Sequence, residues 1–582
     1  MPLPLDVSRE VYKWKARLNV HGGKQTYGVD YWETYAAALK WSSIRFFLVK
    51  ALINSWHTRQ IDFVLAYPQA DVECNLYLEV PQGFEFEVSR KTHCLKLVKN
   101  LYGSKAAGRV WQQHLFKGLD ELGFVQSGTD KCVFYRGTTT FMIYTYDGIF
   151  CGPDEAEIEN CLKDLSSKFD ITDEGDINEY LGVKVTCQDD GSITLTQPHL
   201  IDSIIADLGF RENTKTKATP APSTASINQD LDGEAHNKSW EYRSVIGKLN
   251  FLEKSTRPDI AFAVHQCARY SSNPKESHSA AVRCIVRYLM ATRDKGLILR
   301  PSNHSFECYV DADFHGGWDI KTATAKSRTA YIIMYGKYPI VWASKMQTDI
   351  ALSTTESEYS ALSEANGEVL WLMGLMTEVK EHLVPETINI PTVRCTVFED
   401  NEGAKAMATV PKMRPRTKHI NGRMHHFRGA VASGKLKIES IDTSDQVTDI
   451  ATKPLAKDMF TRLRREINVT TNPDRTEERH VVSCMIEHLH DDKDTNNNLN
   501  VFCFLCREWN TYSCQTIRVL LSLHQTVLRV RQSPYSVLST RLKQCVIHLL
   551  EYFTCMLYSE YMFKVHAQYN LQTIPRSQRN KL

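Results

Sequence analysis

The sequence predicts an α+β chain in which mixed strands and helices give way, beyond residue 305, to a mixed sheet with helices on its faces. Three observations carry this prediction. In "FMIYTYDGIF" (141–150), Phe141, Ile143 and Thr145 alternate with Met142 and Tyr144, and Asp147-Gly148 supplies a hairpin signal before a return strand. From 305, "FECYVDADF", "TAYIIMYG" and "YPIVWAS" read as three short strands, followed by a long helix, the strand "TVRCTVFED" and further helices. Between the two regions, "ENTKTKATPAPSTASINQDLDGEAHNK" is polar and rich in Thr, Ala, Pro and Asn, as a linker or an extended crossing segment would be.

Taken in order, strand-like segments fall at 60–67, 74–80, 141–151, 179–185 and 192–196, and helical ones near 36–55, 105–122 and 154–169. Residues 240–300 look helical, with Val282, Ile285, Leu289 and Met290 at helical spacing. The long helix runs from about Thr355 to His382 and carries Leu362, Ala365, Val369 and Met373 along one face. After "TVFED" come the helix "EGAKAMAT", a basic loop and helix to about 433, the strand "KLKIES" and a last helix near 445–464. Residues 466–582 show no clean period and no repeat.

A chain of 582 residues is too long for one core and is expected to hold three or four domains. Its net charge of +2 excludes a global basic field, so a nucleic-acid partner would have to be held by local patches. Sixteen scattered cysteines without a secretory signal read as reduced intracellular thiols, and no window is apolar enough to span a membrane. A soluble, intracellular protein is expected.

Several acidic residues sit where chemistry could use them. In "RQIDFVLAY", Ile61, Phe63 and Leu65 share one strand face and Gln60, Asp62 and Val64 the other. Asp62 is therefore either a strand-end aspartate satisfied by backbone amides or a residue that is paired or binds a cation. The same two readings apply to Asp147. Farther on, Asp311 (with Asp313 on the same strand face), Glu358, Asp400 and Asp449 each stand at the end or start of a regular element. Such a sheet-edge cluster of hard anionic ligands suits a pair of magnesium ions working on a phosphodiester.

Over residues 11–465 the order of these pieces resembles the reverse transcriptase and ribonuclease H region of a copia-type retrotransposon polyprotein. The resemblance rests on "YKWKARLNVHGG", "QIDFVLAYPQAD", "LYLEVPQGF", "LKLVKNLYGSKAAGRVW", "YTYDGIFCGPD", "EYLGVKV", "YRSVIGKLNFL", "STRPDIAFAV", "CYVDADF", "IVWASKMQTDIALSTTESEYSAL", "FEDNEGAKAMA", "RTKHI" and "QVTDIATKPL". It implies a right-hand polymerase (fingers and palm within 1–212, a linker and thumb-like region over 213–300), then a ribonuclease H-like domain over 301–465 and an unassigned extension, 466–582. By the same resemblance Asp62 and Asp147 are polymerase metal ligands, and Asp311, Glu358, Asp400 and Asp449 the four ribonuclease H ligands, with Asp311 preferred to Asp313. Lys15 and Arg17 become candidates to contact a triphosphate, or remain solvated surface charges. The implied cofactor is Mg2+ or Mn2+. The implied partners are an RNA template, an RNA–DNA hybrid and deoxynucleoside triphosphates, and the implied location is the cytoplasm.

The chain also departs from the family. The hairpin usually reads Tyr-Val-Asp-Asp, so Tyr146 stands where the first aspartate is expected and polymerase activity should fall steeply. Ala106 replaces a common Gln, and the loop "DIKTATAKSRT" is short. The start inside the fingers segment reads as a truncated, partly degenerate copy. The lone Cys503-Phe-Leu-Cys506 pair carries no ligand expectation, the His425-His426 pair reads as structural or RNA-facing, and the basic stretch 409–428 could grip a hybrid backbone or be a solvated loop. The competing expectation is a catalytically inactive product that at most binds nucleic acid.

Overall fold

A computed structural model describes residues 18–79, 93–188, 190–222, 227–301, 303–315, 325–383, 393–410 and 422–470, all within one compact unit, Met1–Glu478. Its first region opens with α1 (Trp41–Asn54), β1 (His57–Phe63), the single turn α2 (Ala66–Gln69) and the small hairpin β2 (Tyr77–Glu79) and β3 (Cys94–Lys96). Then follow α3 (Ala107–Glu121), β4 (Val125–Gln126), β5 (Val133–Arg136), β6 (Thr139–Tyr144), β7 (Asp147–Gly152), α4 (Glu155–Ser166) and β8 (Ile171–Gly175). Six of these strands form an antiparallel sheet in the order β4-β5-β6-β7-β1-β8. Buried Val110, Trp111, Leu115 and Leu119 form one stripe of α3. By contrast, α1 is apolar nearly all round, and it packs on both β7 and a strand of the last sheet.

Two expectations about this sheet change. The strand expected at 60–67 starts at His57 and ends at Phe63, because Leu65 takes a left-handed backbone and opens α2. Leu65 is thus exposed rather than sharing a face with Ile61. The turn of the central hairpin is Thr145–Tyr146 and not Asp147–Gly148, since Tyr144 pairs with Asp147. Thr145 alone carries the positive φ (60°), the pattern of a two-residue II′ turn. Trp111 Nε1 donates to the Thr145 carbonyl at 2.6 Å and pins that tip.

The second region contains β9 (Glu179–Tyr180), β10 (Val183–Cys187), β11 (Ile193–Thr196), α5 (Pro198–Asp207), α6 (Tyr242–Ser255), α7 (Ala261–Ala268), α8 (Glu276–Ala291) and β12 (Gly296–Leu299). The strand expected at 179–185 is broken by positive φ at Leu181 and Gly182, which folds β10 back on β9. The helical stretch 240–300 ends in a strand, β12, that pairs with β11.

The third region holds β13 (Phe306–Asp313), β14 (Arg328–Tyr335), β15 (Tyr338–Met346), α9 (Thr354–Leu383), β16 (Cys395–Glu399), α10 (Glu402–Thr409), α11 (Arg428–Ala432), β17 (Leu436–Ser440), α12 (Asp449–Thr452), α13 (Lys457–Glu466) and β18 (Val469–Thr470). Its mixed sheet runs β15-β14-β13-β16-β17, with β13, β16 and β17 parallel. The last helix, expected whole near 445–464, is split into α12 and α13 around Pro454, which cannot donate in a helix interior. β18 returns to pair with β12. Within the described residues, then, the chain is α+β as expected, built on three sheets and a small hairpin. No helix among them is long and apolar enough to cross a membrane.

Candidate functional site

Parallel pairing builds the stronger of two acidic sites. β13 and β16 run side by side with Tyr309 opposite Phe398, and these two rings stack with centroids 4.9 Å apart. Two residues farther along each strand, on that same face and at the same sheet edge, stand Asp311 and Asp400. Glu358 comes from the start of α9, which packs across β13 and β14, and its carboxylate accepts from the Ala312 backbone N–H. One carboxylate oxygen each from Asp311, Glu358 and Asp400 lies within 4.8 Å of the other two. Among the described residues no other such trio of His, Cys, Asp or Glu exists.

Each carboxylate is held by a named neighbour. Thr452 Oγ1 donates to Asp311 Oδ2 at 2.6 Å, and Thr443 Oγ1 to Asp400 Oδ2 at 3.2 Å. Gln446 Nε2, itself gripped through Thr448, donates to the Val310 carbonyl at 2.8 Å and fixes the approach to α12. Asp449 is drawn in through Lys453, whose Nζ lies 2.7 Å from Asp449 Oδ1 and 3.6 Å from Asp311 Oδ2. Asp449 thus borders the trio without belonging to it. Asp313 stays on β13 opposite Arg328 and outside the trio, which Asp311 joins.

The electrostatics are those of crowded buried anions. Burial, then the charges of Glu399, Asp311 and Asp400, push Glu358 far above the usual carboxylate range. Burial and Asp311 raise Asp400, and burial, with Asp311 opposing the Lys453 contact, brings Asp449 up to about 6. Glu399, absent from the sequence expectation, is fully buried beside Asp400 and is likewise raised by burial. Glu358 Oε2 and Glu399 Oε2 are buried with no hydrogen-bond partner among the described residues. An orphaned, desolvated carboxylate oxygen is costly unless a cation meets it. The donors are all oxygen, with neither thiol nor imidazole in the trio, which suits a hard divalent ion.

The second site lies on the six-stranded sheet. Asp62 near the end of β1 sits directly opposite Asp147, the first residue of β7. Burial, then Asp62 and Glu174, bring Asp147 up to about 7. Glu174, on β8 at the other side of β1, accepts from Gln60 Nε2 at 2.5 Å and was not among the expected residues. Tyr146 is half-buried at the turn, and its carbonyl accepts from the Phe63 N–H. Among the described residues here, no three such ligand atoms come as close together as in the first site.

Lys15, Arg17, Cys503 and Cys506 lie outside the described residues, as do most of the basic stretch and the first part of the loop "DIKTATAKSRT". His425 Nδ1 sits 2.6 Å from Tyr359 Oη, a structural contact. Two signals for the missed residues were in the sequence. Lys453 follows Asp449 by four positions, a helical ion-pair spacing. Glu399 adjoins Asp400, but only the fold shows that its side is the buried one.

Residues 6–223 match the reverse transcriptase (RNA-dependent DNA polymerase) family. The chain is 34% identical over 468 residues to the retrovirus-related Pol polyprotein from transposon RE1 of Arabidopsis thaliana, covering 79% of this chain and 31% of that protein. It is 30% identical over 482 residues to the corresponding polyprotein from transposon TNT 1-94 of Nicotiana tabacum, covering 81% and 35%. The chain thus spans about a third of the length of these curated relatives. Among solved structures, a foamy viral protease–reverse transcriptase in complex with double-stranded DNA aligns with TM-score 0.36 and 12% identity, over 71% of this chain and 61% of that one.

Proposed function

The chain belongs to the copia-type retrotransposon Pol polyproteins, with a reverse transcriptase domain over residues 6–223, and from that premise we propose a polymerase–ribonuclease H fragment that acts on RNA–DNA hybrids. In this reading the cluster on the mixed sheet hydrolyses the RNA strand, and the site on the six-stranded sheet is an impaired polymerase centre. The convergence of Asp311, Glu358 and Asp400, with orphaned oxygen at Glu358, carries the proposal.

The fit to Mg2+ or Mn2+ is good, and Asp311, Glu358 and Asp400 would hold it, with Asp449 completing the set. When bound, such ions supply the Lewis-acid chemistry of phosphoryl transfer, activating water and stabilising charge on the phosphorus oxygens. The protein's own part is orientation. Thr452, Thr443 and the Ala312 amide fix three carboxylates before substrate arrives, so little rearrangement remains at the moment of reaction.

At the other site, Tyr146 offers a phenol, a poor match for a hard divalent ion, where the family has a carboxylate. Asp62 and Asp147 alone would leave two ions and a triphosphate under-neutralised.

The test is magnesium-dependent cleavage of a labelled RNA–DNA hybrid by the purified chain. Asp400→Asn should lower the rate by about a hundredfold or more. Cleavage that survives Asp400→Asn, or none from folded wild-type protein, rejects the hydrolytic reading. The latter result favours the second reading, a nucleic-acid-binding product without catalysis, which Tyr146 independently supports. On the polymerase side, Tyr146→Asp should raise primer extension by at least about a hundredfold. Extension by the wild type at the rate of that variant would remove the impairment.

A further inference from the structure

Lys453 lies just beyond α12 and extends its amine between two carboxylates of the cluster. Its Nζ is 2.7 Å from Asp449 Oδ1 and 3.6 Å from Asp311 Oδ2, the same Asp311 oxygen that receives the Thr452 hydroxyl. Asp311 is 3% exposed and Asp449 8%, whereas the Lys453 side chain is 35% exposed and has an open path to solvent. The charge arrangement is therefore closed on the acid side and open on the ammonium side. A lysine ammonium is a compact, strongly hydrated point charge on a flexible stem, unlike an arginine fork. Burial works against its charge, but Asp311, the contact with Asp449 and Asp400 outweigh burial and keep it protonated.

The sequence supplies the placement. Asp449 and Lys453 are four positions apart across a single helical turn, and Pro454 then ends the helix. The amine is thereby directed back over that turn toward the edge where β13 ends. The same ammonium also acts on Asp313 and Asp400.

We propose that Lys453 is a built-in counter-cation of the carboxylate cluster, which occupies part of the divalent-cation site in the free protein and is displaced into solvent when a divalent ion binds. The inference rests on the cation-site reading of the preceding section. It assigns Lys453 a positioning role: the ammonium stabilises the empty cluster by separating like charges, and it weakens ion binding because two cations cannot share the carboxylates of Asp311 and Asp449. The site then tightens on an ion only as fast as the lysine leaves.

Calorimetric titration of the full chain with Mn2+ tests this. The component of the isotherm that disappears in Asp400→Asn is the cluster's binding, and if no component disappears, both the cation-site reading and this proposal fall. In Lys453→Gln that component should tighten by about tenfold, while the metal-free protein melts at a lower temperature. In Lys453→Arg, which keeps the positive charge beside the carboxylates, the affinity should stay within about twofold of wild type. A Lys453→Gln chain that binds Mn2+ no more tightly than wild type, with the cation-site component intact, overturns the proposal alone. So does equal tightening in Lys453→Arg. A measurement that needs no variant to fold uses an amine-acylating reagent on the wild-type chain, read by mass spectrometry of the peptide that contains Lys453. Saturating Mn2+ should speed modification of Lys453 severalfold, and an unchanged rate overturns the proposal.

Discussion

Asp147 illustrates how a single residue sets a pH dependence. Its carboxyl is brought up to about 7 by burial, then by Asp62 and Glu174. In the unfolded chain the same group titrates near about 3.9. Between those values the folded state binds the proton that the unfolded state releases. The stability contributed by neutral Asp147 is therefore full below about pH 4 and is lost as pH rises through about 7. Asp147→Asn keeps the shape and removes the charge. Without divalent ions it should melt higher than wild type at about pH 8, by about 2 kcal/mol, and match wild type near about pH 4. Melting curves in chelator at both values measure this, and equal melting temperatures at the higher pH would contradict it.

At the scale of elements, the hairpin of β6 and β7 shows where a sequence signal and its structural use part. Asp-Gly is a strong turn dipeptide, yet here the turn is Thr145–Tyr146 and Gly148 lies within β7. The glycine is needed for a different reason: a Cβ at Gly148 would stand 2.7 Å from the Phe141 ring and 2.8 Å from Ile61 Cγ1. Phe141 itself stacks on Phe150 with centroids 4.4 Å apart, so the ring has little freedom to move. Gly148→Ala should therefore cost about 1–3 kcal/mol through overpacking, and it should not alter the turn. Chemical denaturation checks the size, and a variant with wild-type stability would show that the ring does yield. A similar lesson holds for α12 and α13, where one helix was expected near 445–464 and Pro454 divides it.

Across the whole unit, Arg45 is the side chain that ties distant segments together. Buried at 4% exposure on α1, it donates to the carbonyls of Ile340 on β15 at 2.8 Å and of Lys254 at 2.8 Å and Ser255 at 3.1 Å on α6. Its guanidinium also lies 4.0 Å from the ring centroid of Trp342, whose Nε1 donates to the buried Glu253. Glu378 of α9 likewise accepts from the hydroxyls of Ser127 and Thr129 beside the six-stranded sheet. These contacts join the two sheets that carry the two acidic sites. Arg45→Met should remove about 3 kcal/mol, because three carbonyls and Glu253 lose a buried cationic partner. The urea midpoint reads this out, and an unchanged midpoint would mean that water replaces the guanidinium.

The sequence by itself determined the class of the chain, most of its elements and the identity of the acids worth watching. Those features rest on local periodicity and on motif order, which residues within a few positions of one another encode. The resemblance to the family also marked Tyr146 as standing where an aspartate is expected, a comparison that needs no coordinates. The tertiary structure alone decided which acids meet. Asp311 and Asp400 are 89 positions apart and become neighbours only through the parallel register of β13 and β16. Glu174 and Glu399 join their sites in the same way, and Lys453 enters the cluster because a helix ends where it does. Contacts between distant segments depend on strand order and burial, and neither is written in the spacing of residues along one strand.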